Sequence, residues 1–415
     1  MSVASVLRAT LVLGLATSCG SLTADFICSD NASCLSESGV QGTCELTGRC
    51  SLPDTTCTSG RRYATSSGPL SSECTTAFDC IADVHAGEHA TCVRKRDGSV
   101  WCWGDGGSTP ARLALPDGDV AQLEIGGAGV CVRYANGDVH CATSLRGPMT
   151  KVPLLGSTDI AVGASHACAV TGDKHVACWG ANASGELGTG TTVPSTVPLL
   201  ALGGLVGVRR VAAGVETTCA VTDGGATWCW GLDDRDQLGR GICPLCDSKT
   251  PMPVDDELSL AASVTVADHF ACALTTAGAA WCWGTNNQGQ LGDRAADNPS
   301  DSPHRIQALS GITQLRSGGS HSCAVGAGGA VSCWGDNRLR QSTSAASDTL
   351  VAPTPVTDRA GQPLGLVEVV AGAEHSCGRS SDGVVVCWGN NTRGEIGDGT
   401  FTPAARPTQA LVFCP

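Results

Sequence analysis

The stretch Gly318–Gly335 reads GGSHSCAVGAGGAVSCWG and describes a strand, a tight turn and a second strand, with one cysteine on each strand. Apolar residues flank Cys323 and Cys333, and the GAGG between them supplies the positive φ angles that a short hairpin needs. The same unit occurs seven times, always with ten positions between its two cysteines. Repeats of short strands at this period predict a solenoid or a propeller. We predict a disulfide in each unit, joining Cys92 to Cys102, Cys131 to Cys141, Cys168 to Cys178, Cys219 to Cys229, Cys272 to Cys282, Cys323 to Cys333 and Cys377 to Cys387.

Each unit continues in the same way after its second cysteine. Trp-Gly comes next in most copies, then a polar Gly/Asn loop such as GANASGELG from Gly180 to Gly188, and a proline-marked segment closes the unit. The first two units are shorter, and the second has Ala142-Thr143 where the others have Trp-Gly. We therefore expect four-stranded blades, of which the first two have shortened loops on one face. The repeat tryptophans are Trp103, Trp179, Trp230, Trp283, Trp334 and Trp388.

The unit is clearest at Ala371–Gly397, which reads AGAEHSCGRSSDGVVVCWGNNTRGEIG. This pattern resembles the repeat of the regulator of chromosome condensation family, and the resemblance covers residues 80–415. It implies an all-β fold, a seven-bladed β-propeller. The eukaryotic founder of that family is a nuclear exchange factor for a small GTPase that also binds chromatin, and bacterial secreted members include inhibitors that bind enzymes through one propeller face. Fold alone does not decide among such functions.

Composition narrows the class of partner and the compartment. The net charge of −13 argues against nucleic acid and against anionic membrane surfaces, since both are bound through clustered Lys and Arg. Twenty-five cysteines are hard to reconcile with a reducing cytosol.

The N-terminus agrees with export. Arg8 precedes a short apolar run, Ala9–Ala16, which is the length of a signal-peptide core and too short to cross a bilayer. We predict a signal peptide over residues 1–18. The segment resembles a bacterial lipoprotein signal, which implies that Cys19 is lipid-modified. Ala16 stands where a bulkier aliphatic residue is usual, so ordinary cleavage near Ser18 is the alternative.

Residues 19–79 form a separate region rich in cysteine. It has little apolar material, so we expect disulfides in place of a core. Three disulfides are favoured over a zinc site because the stretch contains no histidine, although its connectivity stays open. We interpret the region as a stalk between an anchor and the propeller of residues 80–415. Its cysteines are Cys28, Cys34, Cys44, Cys50, Cys57 and Cys74.

Four cysteines remain besides these. Cys243 and Cys246 have CxxC spacing but lie in a loop, which favours a local disulfide over redox catalysis. Cys80 and Cys414 are then left, and we predict that they bond across the ring. The C-terminal segment Arg406–Cys414 matches the segment that opens other units, such as Arg305–Leu309, so we predict that this strand completes the first blade.

Other candidates for chemistry have structural interpretations. Histidines recur just before the first cysteine of a unit, which suggests either metal ligands or hydrogen bonds to the next blade. One histidine per blade around a ring favours the hydrogen bonds. Asp223–Trp228 fits most of the Asp-box hairpin of sialidases, but no arginine triad accompanies it. We predict no catalytic residues, metal or cofactor. The recurring histidines are His89, His166, His269, His321 and His375.

The expected function is binding. We expect an exported propeller, a lipid-anchored surface protein or a secreted one, that recognises a protein or other cell-surface macromolecule through one loop face. The loops after Trp-Gly are the candidate binding segments because binding residues concentrate on scaffolded loops. An exchange-factor-like regulator of a small GTPase and a carbohydrate-active propeller are the alternatives. The loops are Ala181–Ser195, Leu232–Pro251, Thr285–Pro303, Asp336–Pro353 and Asn390–Pro403.

Overall fold

The computed structural model describes residues 80–241, 247–255, 257–258, 260–292 and 299–412, together with three short strands nearer the N-terminus. These are β1 (Thr43–Cys44), β2 (Cys50–Pro53) and β3 (Arg61–Tyr63), which form an antiparallel sheet in the order β1-β2-β3. Four predicted sites, at Cys19, Cys243, Cys246 and Cys414, lie outside the described residues, as do the predicted signal peptide and the side chains of the Cys-rich region.

The rest of the described chain forms seven four-stranded antiparallel sheets, one per repeat unit. Blade 1 has β4 (Ile81–Ala86), β5 (Ala90–Lys95), β6 (Val100–Gly104) and β7 (Gly107–Arg112). Blade 2 has β8 (Val120–Gly126), β9 (Gly129–Tyr134), β10 (Val139–Ala142) and β11 (Thr150–Lys151). Blade 3 has β12 (Asp159–Val162), β13 (His166–Val170), β14 (Val176–Gly180) and β15 (Ser195–Leu200). Blade 4 has β16 (Val208–Ala213), β17 (Thr217–Thr222), β18 (Thr227–Gly231) and β19 (Ser248–Pro253). Blade 5 has β20 (Ala261–Val266), β21 (Phe270–Thr275), β22 (Ala280–Gly284) and β23 (Ser300–Arg305). Blade 6 has β24 (Ile312–Gly318), β25 (His321–Gly326), β26 (Val331–Asp336) and β27 (Thr349–Pro355). Blade 7 has β28 (Glu368–Ala371), β29 (His375–Arg379), β30 (Val385–Gly389) and β31 (Ala404–Gln409).

The strands follow one another across each sheet, and the first strand of each blade lines a central channel. The predicted all-β, seven-bladed propeller is confirmed. Because the strands alternate in direction, the loop between the third and fourth strands lies on one face of the ring. The hairpin turn between the cysteines and the connection to the next blade lie on the opposite face. Within the described ranges no helix is long and apolar enough to span a bilayer.

The glycine of the Trp-Gly motif marks a bulge where the third strand leaves the cysteine hairpin. At Gly335 the register to β27 shifts and φ is +97°. A Cβ atom there would lie 2.5 Å from the carbonyl oxygen of Ser320, so only glycine fits without moving backbone.

The hydrophobic core is divided among the seven junctions between blades. Each buried cluster combines residues of two successive blades, and the cluster between blades 5 and 6, for example, joins Phe270 and Leu291 to Leu315 and Trp334. A single blade therefore cannot bury its apolar faces alone, and the ring is stabilised as a whole.

The prediction that the C-terminal strand completes the first blade is wrong. β31 pairs with β30 in blade 7, while β7 completes blade 1 from within its own repeat. The ring closes through packing and hydrogen bonds between blade 7 and blade 1, as at the other junctions. Cys80 takes part in a disulfide and packs in the same cluster as Val412. Its bond to Cys414 stays a prediction, which non-reducing peptide mapping tests.

Candidate binding face

The repeat cysteines face each other across the central hairpin of every blade. In blade 6 Cys323 is the direct partner of Cys333, and the two Cα atoms lie 4.1 Å apart. This is the separation of a non-hydrogen-bonded antiparallel pair, in which side chains lie closest. Each cysteine pair packs into the junction with the following blade, so these residues belong to the core as well as to the hairpin.

All seven predicted repeat pairs are joined by disulfides in the structure. From blade 1 to blade 7 the bonds join Cys92 to Cys102, Cys131 to Cys141, Cys168 to Cys178, Cys219 to Cys229, Cys272 to Cys282, Cys323 to Cys333 and Cys377 to Cys387. In each pair the two cysteines are direct partners in the register of the second and third strands. The equal spacing along the sequence therefore corresponds to one equivalent position in every blade.

Three of the recurring histidines form hydrogen bonds between blades. The Nε2 atom of His166 lies 2.8 Å from the Thr218 hydroxyl of blade 4, and Nε2 of His321 lies 2.8 Å from the Ser376 hydroxyl of blade 7. His375 closes the ring with an equivalent contact of 2.8 Å to Thr91 of blade 1. The hydrogen-bond interpretation is confirmed for these three.

These three histidines are neutral. The Thr218 hydroxyl donates to the carbonyl of Glu186, so it must accept from Nε2 of His166 and leave Nδ1 without a proton. Burial lowers the pKa of both His166 and His321 to about 4. Burial, followed by the nearby His321 and His89, lowers the pKa of His375 to about 3. An unprotonated Nδ1 also explains why this atom is buried without a partner in all three rings.

The repeat tryptophans hold each loop to the next blade. Trp230 of blade 4 donates its indole N–H to the carbonyl of Glu186 in the blade 3 loop at 2.8 Å. Trp283 donates to Gln237 at 2.9 Å. The ring-closing contact is of the same kind, from Trp103 to Glu395 at 2.8 Å. Trp334 and Trp388 make the equivalent bonds to the carbonyls of Gln290 and Ser342.

The first half of each long loop is therefore structural, which the sequence interpretation did not separate from the rest. In the blade 3 loop, Asn182 is buried and its amide donates to the carbonyls of Thr191 and Val193, while its oxygen accepts from the Leu187 N–H. Leu187 is fully buried beside Trp230. The Asn/Asp and Leu/Ile positions of the repeat could have indicated this role.

The second half of the blade 3 and blade 7 loops is more exposed than the first half. The tips of the blade 3 and blade 7 loops expose apolar side chains, with Val193 65% and Phe401 51% exposed. The long loops of blades 3 to 7 all connect the third strand to the fourth, so the described ends of these loops lie on one face.

Shortened loops leave one junction open. Blade 2 passes from β10 to β11 through residues 143–149, a connection half as long as residues 181–194 of blade 3. A groove of about 690 Å³ lies there, lined by Cys141, Ala142, Val152, Trp179 and Thr196 among others. We call it the blade 2–3 groove.

The central channel carries paired charges. Burial lowers the pKa of His85, but hydrogen bonds to Asp83 and Glu124 outweigh burial and raise it to about 10. Arg94 also bonds to Asp83 through its Nε atom at 3.0 Å. In blade 7 Glu368 lies 3.3 Å from Arg379, although burial raises the pKa of this glutamate. These ion pairs join neighbouring strands and blades.

The remaining candidates from the sequence are two histidines, His89 and His269, and the Asp-box match. His269 is half-buried in an acidic cleft between Asp234 and Asp268, where its Nδ1 atom lies 3.4 Å from the Gln237 amide of the preceding blade. His89 lies beside Glu88. Neither histidine bonds to a hydroxyl of the following blade as His166 does. Across the described part of the chain, no group of three or more His, Cys, Asp or Glu side chains could hold a metal ion. The Asp-box match is the hairpin of blade 4, where Asp223 pairs with Lys174.

The fold and its repeated junctions define a class of protein: a seven-bladed propeller in which a Trp-Gly loop of one blade is held against the tryptophan of the next. The model of the RCC1-like domain family matches residues 117–413. The chain belongs to this family.

Several known proteins are similar to part of this chain. The ultraviolet-B receptor UVR8 of Arabidopsis thaliana is 32% identical over 246 residues, which cover 58% of this chain and 54% of the receptor. The human E3 ubiquitin-protein ligase HERC2 is 29% identical over 255 residues, or 59% of this chain and 5% of the ligase. The chain thus spans about half of the first relative and a small part of the second. Yeast RCC1 (Prp20), solved with Kap60 bound, superposes with a TM-score of 0.55 at 17% identity over 80% of this chain and 75% of that chain. At this identity the likeness shows the fold alone.

Proposed function

We propose that the protein is an exported, non-catalytic binding propeller that recognises another macromolecule through its loop face and is anchored by a lipid on Cys19. The observation that carries the proposal is the construction of the loops. The buried loop bases are held by amides such as that of Asn182 and by repeat tryptophans, whereas the tips of the blade 3 and blade 7 loops are exposed and differ in sequence. Rigidly based loops with variable tips are typical of binding surfaces.

Two further observations support parts of the proposal. Seven hairpin disulfides fit an oxidising compartment. Yeast Prp20, which has the same fold, was solved with Kap60 bound, and another study of it describes binding to Gsp1p and histones. Protein recognition is therefore within the capacity of such a ring.

The binding proposal is tested by changing only the loop tips. Residues 344–348 of blade 6 and 399–403 of blade 7 are replaced by Gly/Ser sequences, which leaves the buried loop bases intact. The matched control replaces residues 359–361, which lie in an exposed connection on the opposite face. We expect the tip variant to lose capture of its partner from outer-membrane and extracellular fractions, with the melting temperature unchanged. Equal capture by the tip variant and the control would place the binding face elsewhere.

The anchor is tested separately by metabolic labelling with a fatty-acid analogue. The protein should incorporate the label, and the Cys19→Ser variant should not. Incorporation by both proteins, or by neither, would contradict lipidation at Cys19; the latter result would favour simple cleavage near Ser18.

A further inference from the structure

We propose that the blade 2–3 groove binds a turn segment of another protein. In this complex a leucine or isoleucine of the partner packs against Trp179, and the carbonyl before that residue accepts the Trp179 indole N–H. The inference rests on the proposed binding function and names a second contact site for it.

The chain itself shows what fits such a slot. At four other junctions a loop inserts a fully buried aliphatic side chain beside the next blade's tryptophan. The carbonyl immediately before this residue accepts the indole N–H, as Glu186 does before Leu187 and Glu395 does before Ile396. The four aliphatic residues are Leu187, Leu238, Leu291 and Ile396.

The slot on Trp179 is the exception. Blade 2 supplies no loop of this kind, and no acceptor among the described residues bonds to the Trp179 indole nitrogen. Trp179 is only partly buried, whereas Trp103, Trp230, Trp283, Trp334 and Trp388 are at most 1% exposed. One donor and one apolar ring face are therefore left without the contact that every other copy has.

The outer strand beside the groove suits a peptide. At the following junction the N–H of Gly190, in the blade 3 loop, donates to the carbonyl of Lys249 at 2.7 Å. In blade 3 the equivalent residue is Thr196, because Thr196 follows Ser195, the partner of Gly180, just as Lys249 follows Ser248, the partner of Gly231. Thr196 lines the groove. The groove thus offers a backbone acceptor as well as a donor.

Apolar surface continues beyond the groove. Along β15, Val197 is 51% exposed, Leu199 39% and Leu200 55%, which is unusual for an outer strand. A small ligand would fill the groove and leave this strand in water, whereas a protein would cover both. The observations therefore favour a protein segment as the occupant.

The first test uses a probe copied from the chain. A cyclic peptide with the sequence of Asn182–Thr189, NASGELGT, is titrated into the protein labelled with ¹⁵N-tryptophan, and a second peptide carries Asp in place of the leucine. We expect the leucine peptide to shift the Trp179 indole signal and the aspartate peptide to bind at least about tenfold more weakly, because burial of a leucine side chain drives the contact. Trp179→Phe should weaken binding about fivefold through loss of the indole N–H, and Trp179→Ala should abolish it. Trp101→Phe, at another partly buried tryptophan, should leave binding unchanged.

A second readout uses the disulfide in the groove wall. Cys141 is the one repeat cysteine among the seven pairs that is not buried, and it lines the groove together with Cys131. A phosphine reductant should therefore reduce the bond between Cys131 and Cys141 first in the folded protein, and the leucine peptide should slow that reaction. A variant in which residues 143–149 are replaced by the blade 3 loop, residues 181–194, should fill the groove and lose peptide binding.

Several results would overturn the proposal. These are equal binding of the two peptides, equal binding to Trp179→Ala, or no indole shift at millimolar peptide. If the protein self-associates and the groove-filling variant does not, the occupant of the groove is a second copy of the protein. If the Trp179 indole N–H of the free protein is already protected from hydrogen exchange, the occupant is another segment of the same chain. The loop-tip experiment changes blades 6 and 7 and does not involve this groove. A negative peptide titration therefore leaves the proposed binding function standing, and a negative loop-tip experiment leaves the peptide titration interpretable.

Discussion

Acid should weaken the ring through the three histidines that join its blades. His166, His321 and His375 are buried and neutral, with pKa values near 4, 4 and 3. In the unfolded chain a histidine has a pKa of about 6.5. Between these values the unfolded state binds more protons than the folded state, so the free energy of unfolding falls as the pH is lowered from about 6.5 to 4.

The size of the effect follows from the two pKa values. For a shift from 6.5 to about 4, each histidine costs about 2 kcal/mol of stability between pH 7 and pH 5, and the three together cost about 6 kcal/mol. His85 acts in the opposite sense and mostly above this window. Its pKa is raised to about 10, so its stabilising effect is complete below pH 6.5 and is lost progressively as the pH rises from about 6.5 to 10.

The assay is guanidinium unfolding with the disulfides intact, at pH 7 and pH 5. The variant replaces the three histidines by glutamine, which can donate the same hydrogen bond and does not titrate. We expect the wild type to lose about 6 kcal/mol more than this variant between the two pH values. Carboxylates such as Glu368 titrate in both proteins, so the difference isolates the histidines. His175→Gln, at a histidine whose side chain is 39% exposed, should behave as the wild type. If wild type and triple variant show the same pH dependence, these rings are not held neutral by the junctions.

Two further predictions concern the junctions and the bulges. Trp283→Phe removes the indole N–H that donates to the carbonyl of Gln237 and should lower the free energy of unfolding by about 1–3 kcal/mol. The control Trp179→Phe should change the free energy of unfolding by less than about 0.5 kcal/mol. An equal loss of stability in both variants would contradict a stabilising role for the bond to the Gln237 carbonyl. Gly335→Ala should destabilise the protein by about 2 kcal/mol more than Gly361→Ala. Both glycines have a positive φ, but only at Gly335 would an added Cβ atom clash with the backbone. Equal urea midpoints for the two variants would contradict this clash.

Local features of the fold were predictable from the sequence. The ten-residue spacing places Cys323 opposite Cys333 because a hairpin pairs residues at equal distances from its turn. The seven cysteine pairs indicated the number of blades, and the shortened first units indicated where loops are missing. The bond from His321 to the next blade was also foreseen, since a residue repeated once per blade occupies one structural position around the ring.

Only the tertiary structure decided what each repeat contacts in its neighbour. The sequence predicted that the C-terminal strand belongs to blade 1, whereas its pairing with β30 places it in blade 7. The sequence could not decide this point, because no local pattern shows whether the end of a ring pairs with the last blade or with the first. It treated the loops as uniformly free, although Leu187 and its carbonyl neighbour serve the next blade. The open face of Trp179 depends on a loop missing from the preceding repeat. Such an opening arises between two units, and no property of either unit alone reveals it.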